Sequence, residues 1–227
     1  MVGKTNVAGA RLHAMIAVTY PAGSVCTCIN GTKTLKARDT SGKALFNVTV
    51  GEWTVKAEDT AAGKSKSANV SITEEGHCES VTLKYSLDII VNGKFDYDVI
   101  GSWTSSDSSS GLGSMVEHES DGYVQLHAPL KDSYNGTYTA WDSTKALPTS
   151  EYTTLYVDYS AVLNGYASQF LAIGGVSVGT NSTSSDARNT RAVDISGLTD
   201  NYKLTMVARS WAGNGGVSIY IYNMYLA

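Results

Sequence analysis

The stretch Val217-Ser-Ile219-Tyr-Ile221-Tyr-Asn-Met-Tyr225-Leu226 begins in strict alternation. Side chains of a β-strand point to opposite faces with a period of two. Val217, Ile219 and Ile221 therefore share one face, and Ser218, Tyr220 and Tyr222 the other. The pattern predicts a strand over 217–226 with an aliphatic side for a core. Its tyrosine side is a candidate subunit interface. Upstream, β-prone runs at 115–119, 123–128, 136–140, 153–159, 169–173, 176–179, 190–194 and 202–210 read as further strands. Residues 104–113, 181–189 and 212–216 are rich in Ser, Asp, Asn and Gly and read as loops. No segment holds a helical apolar period over twelve residues.

The first part of the chain has the same character with a tighter rhythm. Apolar or alternating runs at 12–20, 24–29, 32–37, 44–50, 53–58, 65–72 and 79–85 are separated by turn residues. Asn30-Gly31 is a hairpin signal, because both residue types tolerate positive φ. Seven short strands at this spacing predict a sandwich. The expected organisation is an N-terminal arm over 1–11, an immunoglobulin-like module over 12–86 and a larger jelly-roll-like β-sandwich over 87–227, so the chain is read as all-β. Ser86 to Val91 passes between the two without a Pro, Ser or Gly linker.

Composition separates the halves. Residues 1–85 carry ten Lys/Arg against seven Asp/Glu, and residues 86–227 carry seven against fourteen. Four aromatics precede residue 86 and seventeen follow it. A net-negative second half without a basic run argues against nucleic acid, whose binding needs phosphates neutralised by Lys and Arg. No apolar run reaches the roughly 18–20 residues of a membrane span, and residues 1–10 lack an apolar signal core. The expectation is a protein with no membrane partner, made in a cytoplasm. Three cysteines suit that compartment as free thiols. Cys26 and Cys28 share a strand face and cannot easily bridge each other.

The sequence carries no recognisable enzyme signature, and the expectation is a non-enzyme. No Gly-x-Ser-x-Gly elbow and no His-Glu-x-x-His occur. His118 and His127 flank a hairpin without a third ligand. Glu117 and Glu119 sit on one face of a strand, about 6–7 Å apart, a spacing that any wet strand face can produce.

Residues Val18-Thr-Tyr-Pro-Ala-Gly-Ser-Val-Cys-Thr-Cys28, Asp39-Thr-Ser-Gly42, Gly51-Glu-Trp-Thr-Val-Lys-Ala57 and Ser71-Ile-Thr-Glu-Glu-Gly76 carry a resemblance. The first half resembles the immunoglobulin-like or carboxypeptidase-regulatory-like modules of phage virion proteins. The second half, through Asn92-Gly-Lys-Phe95, Gly101-Ser-Trp103, Thr154-Leu-Tyr-Val-Asp-Tyr159 and Val193-Asp-Ile-Ser-Gly-Leu-Thr199, is similar to carbohydrate-binding-like jelly rolls. The resemblance implies a bacteriophage virion structural protein, a capsid or tail decoration or a fibre, assembled in the host cytoplasm. Its implied partners are other virion proteins, a host cell-surface glycan and further copies of itself as a homo-oligomer. The alternative is a soluble carbohydrate-binding module, with a glycan-acting enzyme third.

Such jelly rolls often hold a structural calcium near their first strand, and Asp88, Asn92, Asp96 and Asp98 supply hard oxygen ligands there. For sugar binding, aromatics must lie exposed beside hydrogen-bonding side chains. Trp141 and Trp211 adjoin loops, and Tyr138, Arg209 and Asn214 lie near them in sequence, which makes these five the candidate glycan site. The same aromatics would equally fill the core or a subunit interface.

Overall fold

The computed structural model describes residues 13–108, 111–129, 136–162, 169–179, 186–210 and 216–227. The expected arm at 1–11 lies outside them, as do Trp211 and Asn214. The chain divides into two compact units, Met1–Tyr85 and Ser86–Ala227.

The described residues of the first unit form a seven-stranded sandwich. Its strands are β1 (Ala14–Thr19), β2 (Val25–Asn30), β3 (Lys33–Lys36), β4 (Lys43–Val48), β5 (Gly51–Asp59), β6 (Lys64–Ile72) and β7 (Cys78–Thr82). One sheet has the order β4-β1-β7 and the other β3-β2-β5-β6. All ladders are antiparallel except β1 with β7, which run parallel from Met15↔Cys78 to Thr19↔Thr82. Alternation fills the core from both sheets: Ala14, Ile16 and Val18 from β1, Cys26 and Cys28 from β2, and Trp53, Val55 and Ala57 from β5. The hairpin expected at Asn30-Gly31 turns one residue later. Asn30 still pairs with Lys33, leaving Gly31-Thr32 as the loop, and the Asn30 amide donates to the Glu52 carbonyl instead.

Burial pushes the Cys26 and Cys28 thiols up to about 11, whereas Cys78 is exposed. A thiol disulfide reagent at pH 8 is therefore expected to titrate one cysteine in the native protein and three after denaturation. Fast reaction of all three in the native protein would contradict this packing. The same shift sets a pH dependence of stability. Both thiols are neutral when folded, so their burial is without penalty below about pH 9 and becomes destabilising as pH rises toward 11. The first unit should be labile to alkali in that window.

The second unit packs two sheets face to face. Its strands are β8 (Leu87–Val91), β9 (Lys94–Phe95), β10 (Trp103–Ser108), β11 (Ser114–His118), β12 (Tyr123–Ala128), β13 (Tyr138–Leu147), β14 (Thr154–Val162), β15 (Gln169–Ile173), β16 (Val176–Gly179), β17 (Asp186–Asp194), β18 (Tyr202–Arg209) and β19 (Val217–Leu226). One sheet runs β10-β13-β18-β15-β16. The other runs β11-β12-β19-β14-β17, with β8 beside β19 and β9 beside β8. A short helix, α1 (Tyr97–Ile100), follows β9. The core between the sheets takes Val124, Leu126, Leu155, Val157, Ile219 and Ile221 from one side and Leu171, Ile173, Leu204 and Met206 from the other.

Two expected loops are partly strand. Residues 103–108 form β10, and β17 already begins at Asp186. After Trp103, which packs against the core, β10 is an edge strand of Ser, Thr and Asp held by β13 alone. Beyond Trp103 its order comes from that ladder, so residues 104–108 carry no alternation to read.

Candidate glycan-binding face

The outward side of the β11-β12-β19-β14-β17 sheet gathers the aromatics. Wherever tyrosine alternates with Val, Leu or Ile, the aliphatic side chain takes the core and the tyrosine points away. Val124 and Leu126 are buried, so Tyr123, Gln125 and His127 face outward. Leu155 and Val157 are buried, so Tyr156, Asp158 and Ser160 do the same. On β19, Ile219 and Ile221 send Ser218, Tyr220 and Tyr222 outward.

β19 then changes phase. Asp158 pairs with Asn223 but Tyr159 pairs with Ile221, so one extra residue is inserted at Tyr222. A bulge of this kind re-aims the side chains beyond it. Met224 and Leu226 return to the core, and Tyr225 joins Tyr220 and Tyr222 on the outer face. Without that inserted residue, Tyr225 would point inward.

The result is a half-buried platform of five tyrosines. Tyr123 meets Tyr220 edge-on at 5.0 Å between ring centroids and Tyr222 at 6.0 Å. The His118 ring lies 4.9 Å from that of Tyr123. Tyr156 and Tyr225 stack at 4.9 Å with planes 15° apart, and Asp88 faces Tyr225 across the β8–β19 ladder. At the usual 4.8 Å spacing the five-strand face is about 19 Å wide, and the three adjacent strands that carry the tyrosines span about 10 Å of it.

Hydrogen-bonding groups sit between the rings. His118 Nε2 lies 3.3 Å from Gln125 Oε1, and Gln125 Nε2 donates to Ser218 Oγ at 3.4 Å. His127 Nδ1 is 2.9 Å from the same hydroxyl. Ser160 Oγ and the Tyr222 hydroxyl are 3.0 Å apart. Arg188 Nε donates to both Asp158 oxygens at 3.1 Å, and its Nη2 donates to Oδ2 at 2.6 Å. The guanidinium carbon stands 3.9 Å from the Tyr222 ring centroid. Asp158 raises the Arg188 pKa through these bonds. Burial, with Asp121, Tyr220 and Tyr222 nearby, raises that of Tyr123.

Of the glycan residues expected from sequence, Trp141, Tyr138 and Arg209 lie off this face, and Trp211 and Asn214 lie outside the described residues. Trp141 stands in register with Met206 and packs against the core, so it is not the exposed tryptophan expected. Tyr138 and Arg209 face each other on the outer side of the β10-β13-β18-β15-β16 sheet, with the guanidinium 5.6 Å from the ring. The tyrosine platform was seen in sequence only as a candidate interface on β19. The signal that would have found it is tyrosine alternating with aliphatics in three strands at once.

The expected calcium ligands are not brought together as a set. Asn92 is one half of the two-residue turn joining β8 to β9, at φ +50 with Gly93 at +75. The Asp96 carboxylate caps α1, accepting from the backbone N–H groups of Asp98 and Val99. Asp98 is exposed, and its carbonyl accepts from Lys145 Nζ. Among the described residues no three of His, Cys, Asp or Glu converge to hold a metal ion. Glu117 and Glu119 are each tied to β9: Glu117 accepts from the Phe95 N–H at 2.7 Å and Glu119 pairs with Lys94 at 3.0 Å. His118 and His127 stand at opposite ends of the β11–β12 ladder.

No family model matches the chain, and no curated protein matches it. Solved structures similar to it include a mutant of a family 29 carbohydrate-binding module, 10% identical, covering 63% of this chain and 91% of that one at a TM-score of 0.38. A family 27 module described for specific mannan recognition is 13% identical, with 63% and 95% covered and a TM-score of 0.37. A DUF3823 family protein from Parabacteroides merdae is 10% identical, with 96% and 100% covered and a TM-score of 0.28. Carbohydrate-binding modules of β-sandwich fold thus stand among the similar structures. Every one of these TM-scores is below one half, and none of the likenesses identifies a ligand or a binding residue of this chain.

Proposed function

We propose that the second unit is a non-catalytic glycan-binding β-sandwich whose binding surface is the outer face of β11, β12, β19, β14 and β17. The observation that carries this reading is the platform itself. Five half-exposed tyrosines converge from three strands, interleaved with Gln125, His127, Ser160 and Ser218. An aromatic body with a polar rim suits a sugar, which offers an apolar C–H face and a ring of hydroxyls. Tyrosine combines a large contact area with its own hydroxyl. The core of an obligate subunit interface is more apolar than this.

Of the two readings drawn from the sequence, a virion structural protein and a glycan-binding module, the platform favours the second. The two are compatible. Many copies on one particle would turn weak single contacts into firm adhesion.

The test is retention of the protein in gels containing soluble polysaccharides. Tyr220→Ala and Tyr156→Ala are each expected to weaken retention about tenfold, corresponding to loss of about 1.4 kcal/mol. Both sites are surface positions, so the fold should survive, as circular dichroism would verify. Unchanged retention in both variants would remove this face from consideration. A dimer dissolved by Tyr220→Ala, with no glycan retained, would return the platform to a subunit interface.

A further inference from the structure

The glycan-binding reading is the ground for a narrower one, which names the ligand class and the residue that selects it. The platform carries few charges. Among the described residues its ionisable side chains, tyrosines aside, include Arg188, Asp158, His118, His127, Asp121, Asp88 and Asp194, with the Lys94–Glu119 ion pair at its β9 edge. Arg188 and Asp158 cancel each other within a bidentate pair. Asp88, Asp121 and Asp194 add further carboxylates to the face. An acidic polymer gains nothing from such a surface and meets these carboxylates on approach.

Among the described residues Arg188 is also the one arginine or lysine on the outward side of β11, β12, β19, β14 and β17, and it is held in an unusual way. Its side chain is 57% exposed, whereas that of Asp158 is 19% exposed. The carboxylate is therefore the inner member of the pair and the guanidinium the outer one. The guanidinium lies over Tyr222 and covers part of that ring. Asp158 takes up Nε–H and one Nη2–H. A guanidinium has five N–H donors in a fixed plane, so the remaining edge is left to point away from Asp158. Two neighbouring donors at fixed spacing match two neighbouring hydroxyl oxygens. The ring beneath and the carboxylate beside it remove the rotamer freedom that an exposed arginine otherwise loses on binding.

We propose that this face selects an uncharged polysaccharide, and that Arg188, oriented by Asp158 and Tyr222, is the specificity residue that donates to a pair of adjacent sugar hydroxyls. Arg188 is then a direct ligand contact and Asp158 a positioning residue. Lysine cannot replace the planar pair of donors, and Asn at 158 would leave the cation uncompensated.

The experiment uses the full chain against two panels of soluble polymers, neutral glucans, mannans and galactans on one side and uronate polymers on the other. Titration calorimetry then follows the best ligand. Wild type is expected to bind within the neutral panel and not the uronate panel. Arg188→Met should lose at least tenfold in affinity, and Arg188→Lys should recover little of it. Asp158→Asn should weaken the neutral ligand and raise uronate binding at low salt. Preference of the wild type for a uronate polymer would overturn the assigned class. Unchanged neutral binding in Arg188→Met and Arg188→Lys, with binding still lost in Tyr220→Ala, would overturn the role of Arg188 and leave the binding face standing. Binding insensitive to Tyr220 and Tyr156 would instead remove the face, and the role of Arg188 with it.

Discussion

Gly93→Ala should destabilise the 86–227 unit by roughly 3–5 kcal/mol, among the larger effects of any single substitution. Gly93 has φ +75, and a Cβ there would stand 2.4 Å from Tyr123 N, 2.7 Å from His118 O and 2.8 Å from Gly122 C. All three are backbone atoms in the turn between β11 and β12, so no flexible side chain can move aside. The β8–β9 turn sits directly on that second turn, and one of the two would have to shift. Gly122 supplies the control. It shares φ +75, but a Cβ there meets nothing within 4 Å. Gly122→Ala should therefore cost only the left-handed backbone penalty, about 1–2 kcal/mol. The excess at Gly93 isolates the clash. Thermal unfolding would show it as a midpoint lower by about 10 °C in this unit. Equal midpoints for the two variants would refute the close approach. Because Tyr123 and His118 border the clash, Gly93→Ala should also weaken glycan retention at temperatures where the unit is still folded.

Trp53→Ala is expected to have an equal or larger effect in the other unit. The Trp53 side chain is 1% exposed and is among the largest fully buried groups in the chain. Its indole N–H donates to the Thr49 carbonyl at 2.9 Å. Truncating a buried tryptophan costs about 3–5 kcal/mol through lost burial and the cavity left behind. A sandwich of this size has little stability in reserve, since small domains bury proportionately less surface. The 1–85 unit should lose cooperative unfolding at 37 °C, and Cys26 and Cys28 should become reactive to thiol reagents. Trp53→Phe should fall between, losing the hydrogen bond but keeping most of the volume. A native-like thiol count in Trp53→Ala would show that the core tolerates the hole.

The strands were legible because burial writes a period of two into the chain. In the first unit the elements appear near their expected places, since β1, β2, β4, β5 and β6 each send aliphatic, cysteine or aromatic residues to the core, and β3 and β7 are marked by Leu35 and Val81 between turn residues. β10 was missed because an edge strand of small polar residues takes its order from its neighbour. The second half of β13 was missed for a related reason: residues 143–146 are polar or small, and the register with β18 breaks between Asp142 and Ala146.

The site was harder to read because an aromatic side chain has no fixed allegiance. Trp141 lies in Thr139-Ala-Trp-Asp-Ser143, where nothing aliphatic competes for the inward position, so the indole packs against the core. Tyr123, Tyr156 and Tyr220 each alternate with better core formers and are expelled. Tyr225 depended on the bulge at Tyr222, which a single strand read alone does not reveal. Proximity to a loop did not turn Trp141 outward, whereas competition along each strand accounts for which of these aromatics face out.

The parallel pairing of β1 with β7 has a mechanical consequence. Their five register pairs, from Met15↔Cys78 to Thr19↔Thr82, join the first and last strands of the unit running in the same direction. The chain therefore enters β1 at one pole of the sandwich and leaves β7 at the other. Tension applied through the two ends would pull these strands past each other lengthwise, loading all the rungs together instead of peeling them one by one. A unit strung in this way lengthens whatever it connects and resists being drawn out by shear.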